Sequence, residues 1–236
     1  DIVVAVRALV QDVEAVGTIC RQRDVLYLVD ACQSVGQMPV RPHEIGADFL
    51  SATARKFLRG PRGVGFLYVS DRALDAGLEP LFPDLHGADW VAEELYQPAP
   101  DARRFENWEF PYALVLGLGA AARLASEVGM EWARQRAWAL AERVRAGLRE
   151  MEGVRVLDPG DRPCAIVSAH LGDRDPGEVV RALRERGVNT SSLTRASAVL
   201  DFDDHAVEGA LRVSPHYYNT ADEVDLFLAE VGDVLG

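Results

Sequence analysis

The order of apolar and polar residues predicts alternating strands and helices in the first half of the chain. Ile2 to Val6 reads as a buried strand, and Val13, Val16, Ile19 and Cys20 then recur at helical spacing. Val25 to Val29 is an unbroken apolar run, bounded by Arg23 and Asp24 before it and by Asp30 after it. Strand, helix and strand at these lengths predict a βαβ unit in a parallel sheet. Ala47 to Ala52 reads as a further short strand ending before Lys56, and Gly65 to Val69 as another. The glycines between Arg59 and Gly65 fit neither the dinucleotide fingerprint nor the P-loop, and are expected to turn the chain back into the sheet.

Residues 71 to 103 are proline-rich and lack periodicity, so a long irregular segment is expected there. Leu114 to Val128 is an Ala/Gly-rich apolar helix, expected to be deeply buried and interrupted by Gly129. Ala133, Ala137, Leu140, Ala141, Val144, Leu148 and Met151 mark one face of a long helix stopped by Gly153. Strands are expected at Val154 to Leu157 and Ala165 to Ala169, and a helix from Pro176 to Arg186 with Gly187 as its stop. Thr220 with Glu223 three residues on is a capping box, followed by Val224, Phe227, Leu228 and Val231 at helical spacing. The predicted class is α/β: a mostly parallel large domain over residues 1–128, then a small α+β domain over 129–236.

Composition narrows the function. The chain has 236 residues, 48% apolar and 26% charged, which is ordinary globular composition. Its longest uncharged stretch, Phe110 to Ala122, has 13 residues, whereas a membrane span needs roughly 20. No basic patch followed by an apolar core marks a secretory signal, so a cytoplasmic location is expected. The chain opens on Asp1, which suggests a fragment or a processed protein. A net charge of −12 argues against nucleic acid and anionic membranes as partners. Three scattered cysteines and five dispersed histidines show no metal-ligand spacing, so no metal is expected.

The basic residues number 25, and only one of them, Lys56, is lysine. A bias from Lys to Arg explains the count, and it makes the exception a candidate for chemistry that a guanidinium cannot do. A lysine amine can lose its proton and form an imine with a carbonyl. Asp30 closes a buried strand, where ligands of open parallel sheets bind. Taken alone, such an Asp serves as often as a helix or loop cap. Neighbouring parallel strands would bring Asp30 and Lys56 to one sheet edge. An acid for a pyridinium and an amine for an aldehyde are what pyridoxal phosphate needs. Arg212 precedes the last helix on a short strand. Arg is the usual bidentate partner of a carboxylate, although most of this chain's arginines serve the surface.

The stretches Tyr27 to Ser34, Ala47 to Lys56 and Gly60 to Val69 together resemble the class V aminotransferases. That family includes cysteine desulfurases, selenocysteine lyases and isopenicillin N epimerase-like enzymes. The resemblance runs through Arg104 to Glu109 and Arg212 to Thr220, and covers the C-terminal three-fifths of a family member. Residues 31–40, 55–63 and 103–110 look most similar to hercynylcysteine sulfoxide lyases of ergothioneine biosynthesis. The resemblance implies the fold type I of pyridoxal-phosphate-dependent transferases, incomplete here, and a homodimer. It implies that Lys56 forms the internal aldimine and shuttles the α-proton, and that Asp30 pairs with the pyridine nitrogen. Gln33 would bond the phenolic oxygen, Thr53 and Arg55 would contact the phosphate, and Arg212 would hold the substrate α-carboxylate.

The family's desulfurases need a cysteine on a loop shortly before that arginine, and residues 189–210 contain none. A loop that usually follows the first strand, and brings an Asn near the substrate, is missing between Val6 and Val10. The implied activity is β-elimination of an S-substituted cysteine such as hercynylcysteine sulfoxide. An aminotransferase or epimerase is the alternative within the same chemistry. A non-catalytic fragment that cannot retain cofactor alone is the alternative outside it.

Overall fold

The computed structural model describes residues 1–4, 9–158 and 160–236. In chain order the elements begin with β1 (Val3–Val4), β2 (Leu9–Val10), α1 (Val13–Gln22), β3 (Leu28–Asp30), α2 (Pro42–Ile45), β4 (Phe49–Thr53), β5 (Gly65–Val69) and α3 (Asp71–Asp75). They continue with β6 (Ala88–Ala92), β7 (Leu95–Pro98), α4 (Tyr112–Val128), α5 (Met130–Arg149), β8 (Arg155–Val156), β9 (Val167–His170) and α6 (Pro176–Glu185). The last are β10 (Ser191–Thr194), α7 (Val199–His205), β11 (Gly209–Val213) and α8 (Ala221–Leu235). The chain forms two compact units. One holds residues 1–2, 12–36 and 40–127, and the other residues 3–11, 37–39 and 128–236.

The first unit is built on β3, β4 and β5. β3 runs parallel to β4, with Asp30 opposite Ser51, and β4 pairs antiparallel with β5. The sheet is therefore not all parallel in this unit: the glycine turn folds the chain straight back, which a parallel crossover of a dozen residues would not allow. Asp48, buried at the start of β4, ties the sheet to its surroundings. Its carboxylate accepts the Tyr27 backbone N–H at 2.9 Å and the Arg72 Nη1 at 2.8 Å. Asp12 caps α1, and Gly17 lets α1 pass α2 closely, because a Cβ there would lie 1.8 Å from the Ile45 carbonyl oxygen.

Four expectations change. Residues 71–103 are not irregular: they contain α3, the β6–β7 hairpin and a 3-10 turn at Ala102–Phe105. Buried Arg104 braces them by donating to the Ala99 and Leu78 carbonyls at 2.9 and 3.0 Å. α4 spans the expected residues but contains no fully buried position, and Leu116 is 74% exposed. Leu28 in β3 is 64% exposed, so that strand is covered on the Val29 face only. The expected first strand is short. β1 pairs antiparallel with β2 instead of completing the parallel unit, while the Ile2 N–H reaches the Asp30 carbonyl at 2.9 Å. Ala5 and Val6 of that expected strand, and most of the gap after it, lie outside the described residues.

The second unit is an antiparallel sheet in the order β10-β11-β9-β8 with α5 and α6 packed on it and α8 packed against both helices. α5 buries Ala133, Ala137, Leu140, Ala141, Val144 and Leu148, as its periodicity predicts, and ends at Arg149 before Gly153. The helix expected from Pro176 is α6, capped by Asp175, and the Thr220–Glu223 capping box starts α8. Arg145 is buried beside Asp158, a pair that the apolar periodicity does not reveal. Leu157, Phe202, Val207 and Ala210 form a cluster that anchors α7.

Candidate active site

Asp30 ends β3, and the next residue stays in register: the Ala31 N–H donates to the Ser51 carbonyl at 2.8 Å. The chain then turns, with the Ser34 and Val35 N–H groups both donating to the Ala31 carbonyl. Gly36 closes this loop at φ +86°, and a Cβ there would lie 2.2 Å from the Leu58 backbone nitrogen. Only glycine permits both that backbone angle and that approach. The loop after Asp30 is thereby pressed onto the turn after β4. That turn carries Lys56 between β4 and buried Phe57 and Leu58, and closes with the Arg59 N–H on the Lys56 carbonyl at 2.9 Å and the Gly60 N–H on the Ala54 carbonyl at 2.8 Å.

The Asp30 carboxylate sits below the ordinary range. Partial burial opposes its charge, but the Cys32 N–H at 2.7 Å, the Cys32 thiol and the positive charge of Lys56 outweigh it. Cys32 moves the other way. Burial, its bond to Asp30 and the negative charge of Asp30 push the thiol up, against the Thr53 backbone N–H and Lys56. Asp30 is thus an anion at neutral pH with Lys56 close enough to act on it. Gln33 is half-buried in the first loop, Thr53 is half-buried at the end of β4, and Arg55 is exposed beside Lys56.

Arg212 belongs to the second unit, on β11 opposite Ser168 of β9 and Ser191 of β10. Its Nε is buried with no hydrogen-bond partner among the described residues. Burial lowers the guanidinium's pKa, partly countered by Cys164. A buried guanidinium nitrogen without an acceptor is costly, and a carboxylate would satisfy it. Cys32, in the stretch expected to contact the cofactor, donates its backbone N–H to Asp30. The i to i+2 spacing from Asp30 is the signal, since an Asp at that spacing caps the N–H two residues on. No group of three or more His, Cys, Asp and Glu among the described residues is placed to hold a metal ion. No single described helix is long and apolar enough to cross a membrane, though α4 and α5 meet that test as a pair bent by 81°.

The family model of the class V aminotransferases matches residues 3–227. The chain belongs to the class V aminotransferase family. A probable cysteine desulfurase of Methanothermobacter thermautotrophicus is 30% identical over 230 residues, covering 96% of this chain and 57% of that protein. An uncharacterized aminotransferase of Bacillus subtilis, YcbU, is 31% identical over 94% of this chain and 55% of its own length. The apo cysteine desulfurase of Thermococcus onnurineus NA1 superposes with a TM-score of 0.91 at 26% identity, over 99% of this chain and 58% of that one. The cystine C-S lyase C-DES shares the fold at a TM-score of 0.80 and 24% identity, over 95% of this chain and 57% of that one. This class V chain therefore has the α/β fold of these enzymes as a partial domain, and spans little more than half the length of its relatives.

Proposed function

We propose that this chain is the lysine-bearing part of a pyridoxal-phosphate-dependent carbon–sulfur lyase acting on an S-substituted cysteine by β-elimination. One observation carries the reading: an anionic Asp30 and the sole lysine stand in loops locked together by Gly36 at one strand edge. Those residues fit the cofactor's chemistry, since a pyridinium needs a carboxylate kept ionised and an aldehyde needs an amine. When bound, pyridoxal phosphate supplies a ring that withdraws the electron pair left on the substrate α-carbon.

Asp30 would hold the protonated ring nitrogen, Gln33 the phenolic oxygen, and Thr53 with Arg55 the phosphate. Arg212 would take the α-carboxylate, which its orphaned Nε supports. The Lys56 amine would accept the Cα proton. The Cα–Cβ bond then becomes double as the Cβ–S bond breaks, and sulfur leaves with the electron pair. Addition of water gives pyruvate and ammonia. For a sulfoxide the leaving group is a sulfenate, and hercynylcysteine sulfoxide is the substrate we infer from residues 31–40, 55–63 and 103–110. Residues 189–210 favour a lyase over a persulfide-forming desulfurase, because they hold no cysteine and fold as β10 and α7 with Phe202 buried. Bare apolar positions of the first unit, such as Trp90 and Leu116, support the expectation of a homodimer.

The test adds pyridoxal phosphate to wild type and to Lys56→Ala. It then records the visible band, traps it with borohydride, and supplies a cysteine S-conjugate sulfoxide. A band trapped on Lys56, with pyruvate released, supports the reading. A keto acid of unchanged carbon skeleton indicates an aminotransferase, and a racemate an epimerase. No band in a folded wild-type chain means that this piece alone is not an enzyme.

A further inference from the structure

Strand register sets three polar residues in one row across the sheet of the second unit. Ser191 of β10 lies opposite Arg212 of β11, and Arg212 lies opposite Ser168 of β9. Directly opposite residues project from the same face of a sheet, so the Arg212 side chain leaves it between two hydroxyl-bearing neighbours. Ser168 is fully buried, whereas Ser191 is exposed on β10, the edge strand. The open end of the row is therefore at Ser191. We propose that Ser191 is a further substrate-binding residue, whose hydroxyl donates to the carboxylate that Arg212 holds.

The row holds donors that lack acceptors. The Arg212 Nε is buried with no hydrogen-bond partner, and no described residue shares a hydrogen bond with the Ser191 hydroxyl. A carboxylate has about four lone-pair sites, and one edge of a guanidinium fills two of them. A hydroxyl in the adjacent position of the row supplies a third donor. Two residues along the same face, Leu193 and Ala210 lie opposite each other and join the apolar cluster around Phe202. That apolar shelf beside the row favours a carboxylate on a carbon skeleton over an inorganic anion. Ser192 alternates to the other face, opposite buried Leu211, and provides the control. The inference deepens the proposed function, from which it takes the carboxylate as ligand.

The experiment titrates the cofactor-free chain with sodium propionate at constant ionic strength, and follows the Arg212 Nε–H by NMR. That signal should shift saturably in wild type. Ser191→Ala should weaken binding about fivefold, as expected for the loss of one hydrogen bond. Ser191→Thr, which keeps the hydroxyl, should stay near wild type, and so should Ser192→Ala. No saturable shift at Arg212, an unchanged affinity in Ser191→Ala, or an equal loss in Ser192→Ala overturns the proposal.

A second readout applies where the chain turns over a cysteine S-conjugate. Ser191→Ala should raise KM about fivefold with kcat little changed, since the hydroxyl binds ground state and transition state alike. An unchanged KM also overturns the proposal. A chain that binds propionate at Arg212 but takes up no pyridoxal phosphate counts against the lyase reading, while the Ser191→Ala loss still upholds the subsite.

Discussion

Replacing Asp158 by alanine is the perturbation that the second unit should feel most. Arg145 on α5 is 2% exposed. It donates from Nε to the Asp158 Oδ2 at 2.7 Å, and from Nη2 to the Cys164 and Ile166 carbonyls, each at 2.7 Å. Asp158 in turn accepts the Ser168 N–H of β9 at 2.8 Å through Oδ1. Asp158→Ala therefore leaves the buried guanidinium with only the exposed Glu142 carboxylate, 3.7 Å away, as counter-charge, and a strand N–H without its acceptor. The first loss costs about 3–5 kcal/mol and the second about 1–3, in a network where losses overlap. About 4 kcal/mol is the expected total, against a typical domain stability of roughly 5–15. With a urea slope of about 2 kcal/mol per molar, the midpoint should fall by about 2 M. Trp132 and Trp138 on α5 give the fluorescence signal. The double variant Arg145→Met with Asp158→Ala should lose less than the sum of the singles by at least about 2 kcal/mol, because no charge is then left unpaired. Additive losses, or an Asp158→Ala cost under about 1 kcal/mol, would refute the reasoning.

Three smaller predictions stand on other contacts. Gly36→Ala forces a Cβ to 2.2 Å from the Leu58 nitrogen at φ +86°, so the loop after Asp30 must lift. Cofactor uptake should fall at least tenfold by absorbance titration, while far-UV circular dichroism stays near wild type. Thr220→Ala removes the side-chain acceptor of the Glu223 N–H at 3.1 Å. It should lower stability by about 1 kcal/mol in urea melts. Cys164 is fully buried, and that burial chiefly pushes its thiol up to about 11. Ellman's reagent at pH 8 should therefore label Cys20 and Cys32 first, and reach Cys164 only on unfolding; equal rates for all three would contradict that burial.

Helices α5, α6 and α8 of the second unit were legible because each one's pattern matches what it touches, whereas α7, only seven residues long, shows too short a pattern and was not expected. The α5 periodicity places Ala133 through Leu148 on the buried face, and the Thr220 capping box places the start of α8. Arg145 escaped because a charged residue breaks an apolar pattern. Its partners, Asp158 and two carbonyls, lie up to 21 residues away in sequence. The β6–β7 hairpin escaped for another reason. Trp90, Val91, Leu95 and Tyr96 run without the in–out alternation of a half-buried strand, and all four remain exposed. Of the candidate site, the strand-end positions of Asp30 and Lys56 were readable from apolar runs that stop just before them. The close approach of Gly36 to Leu58 was not, since nothing in the one-dimensional pattern sets those two loops together.

The first unit shows what apolar patterning measures. α4 is rich in Ala, Gly, Leu and Val on every side, a composition that belongs inside a protein, yet none of its residues is buried. Leu28 on β3, and Phe66 and Leu67 on β5, are bare as well. By contrast, every residue that fixes the proposed cofactor edge is satisfied within the unit: Gly36 on Leu58, Cys32 on Asp30, Gly60 on Ala54. Local hydrogen bonds and close backbone approaches build the edge, while Leu28, Phe66 and Leu67 on the sheet, and much of α4, stay uncovered. The geometry at Asp30 and Lys56 should therefore persist where the faces around it are uncovered. If so, hydrogen exchange will find the Ala31, Arg59 and Gly60 amides protected while α4 amides exchange fast. Fast exchange at those three amides would mean that the edge, too, depends on cover this unit does not provide.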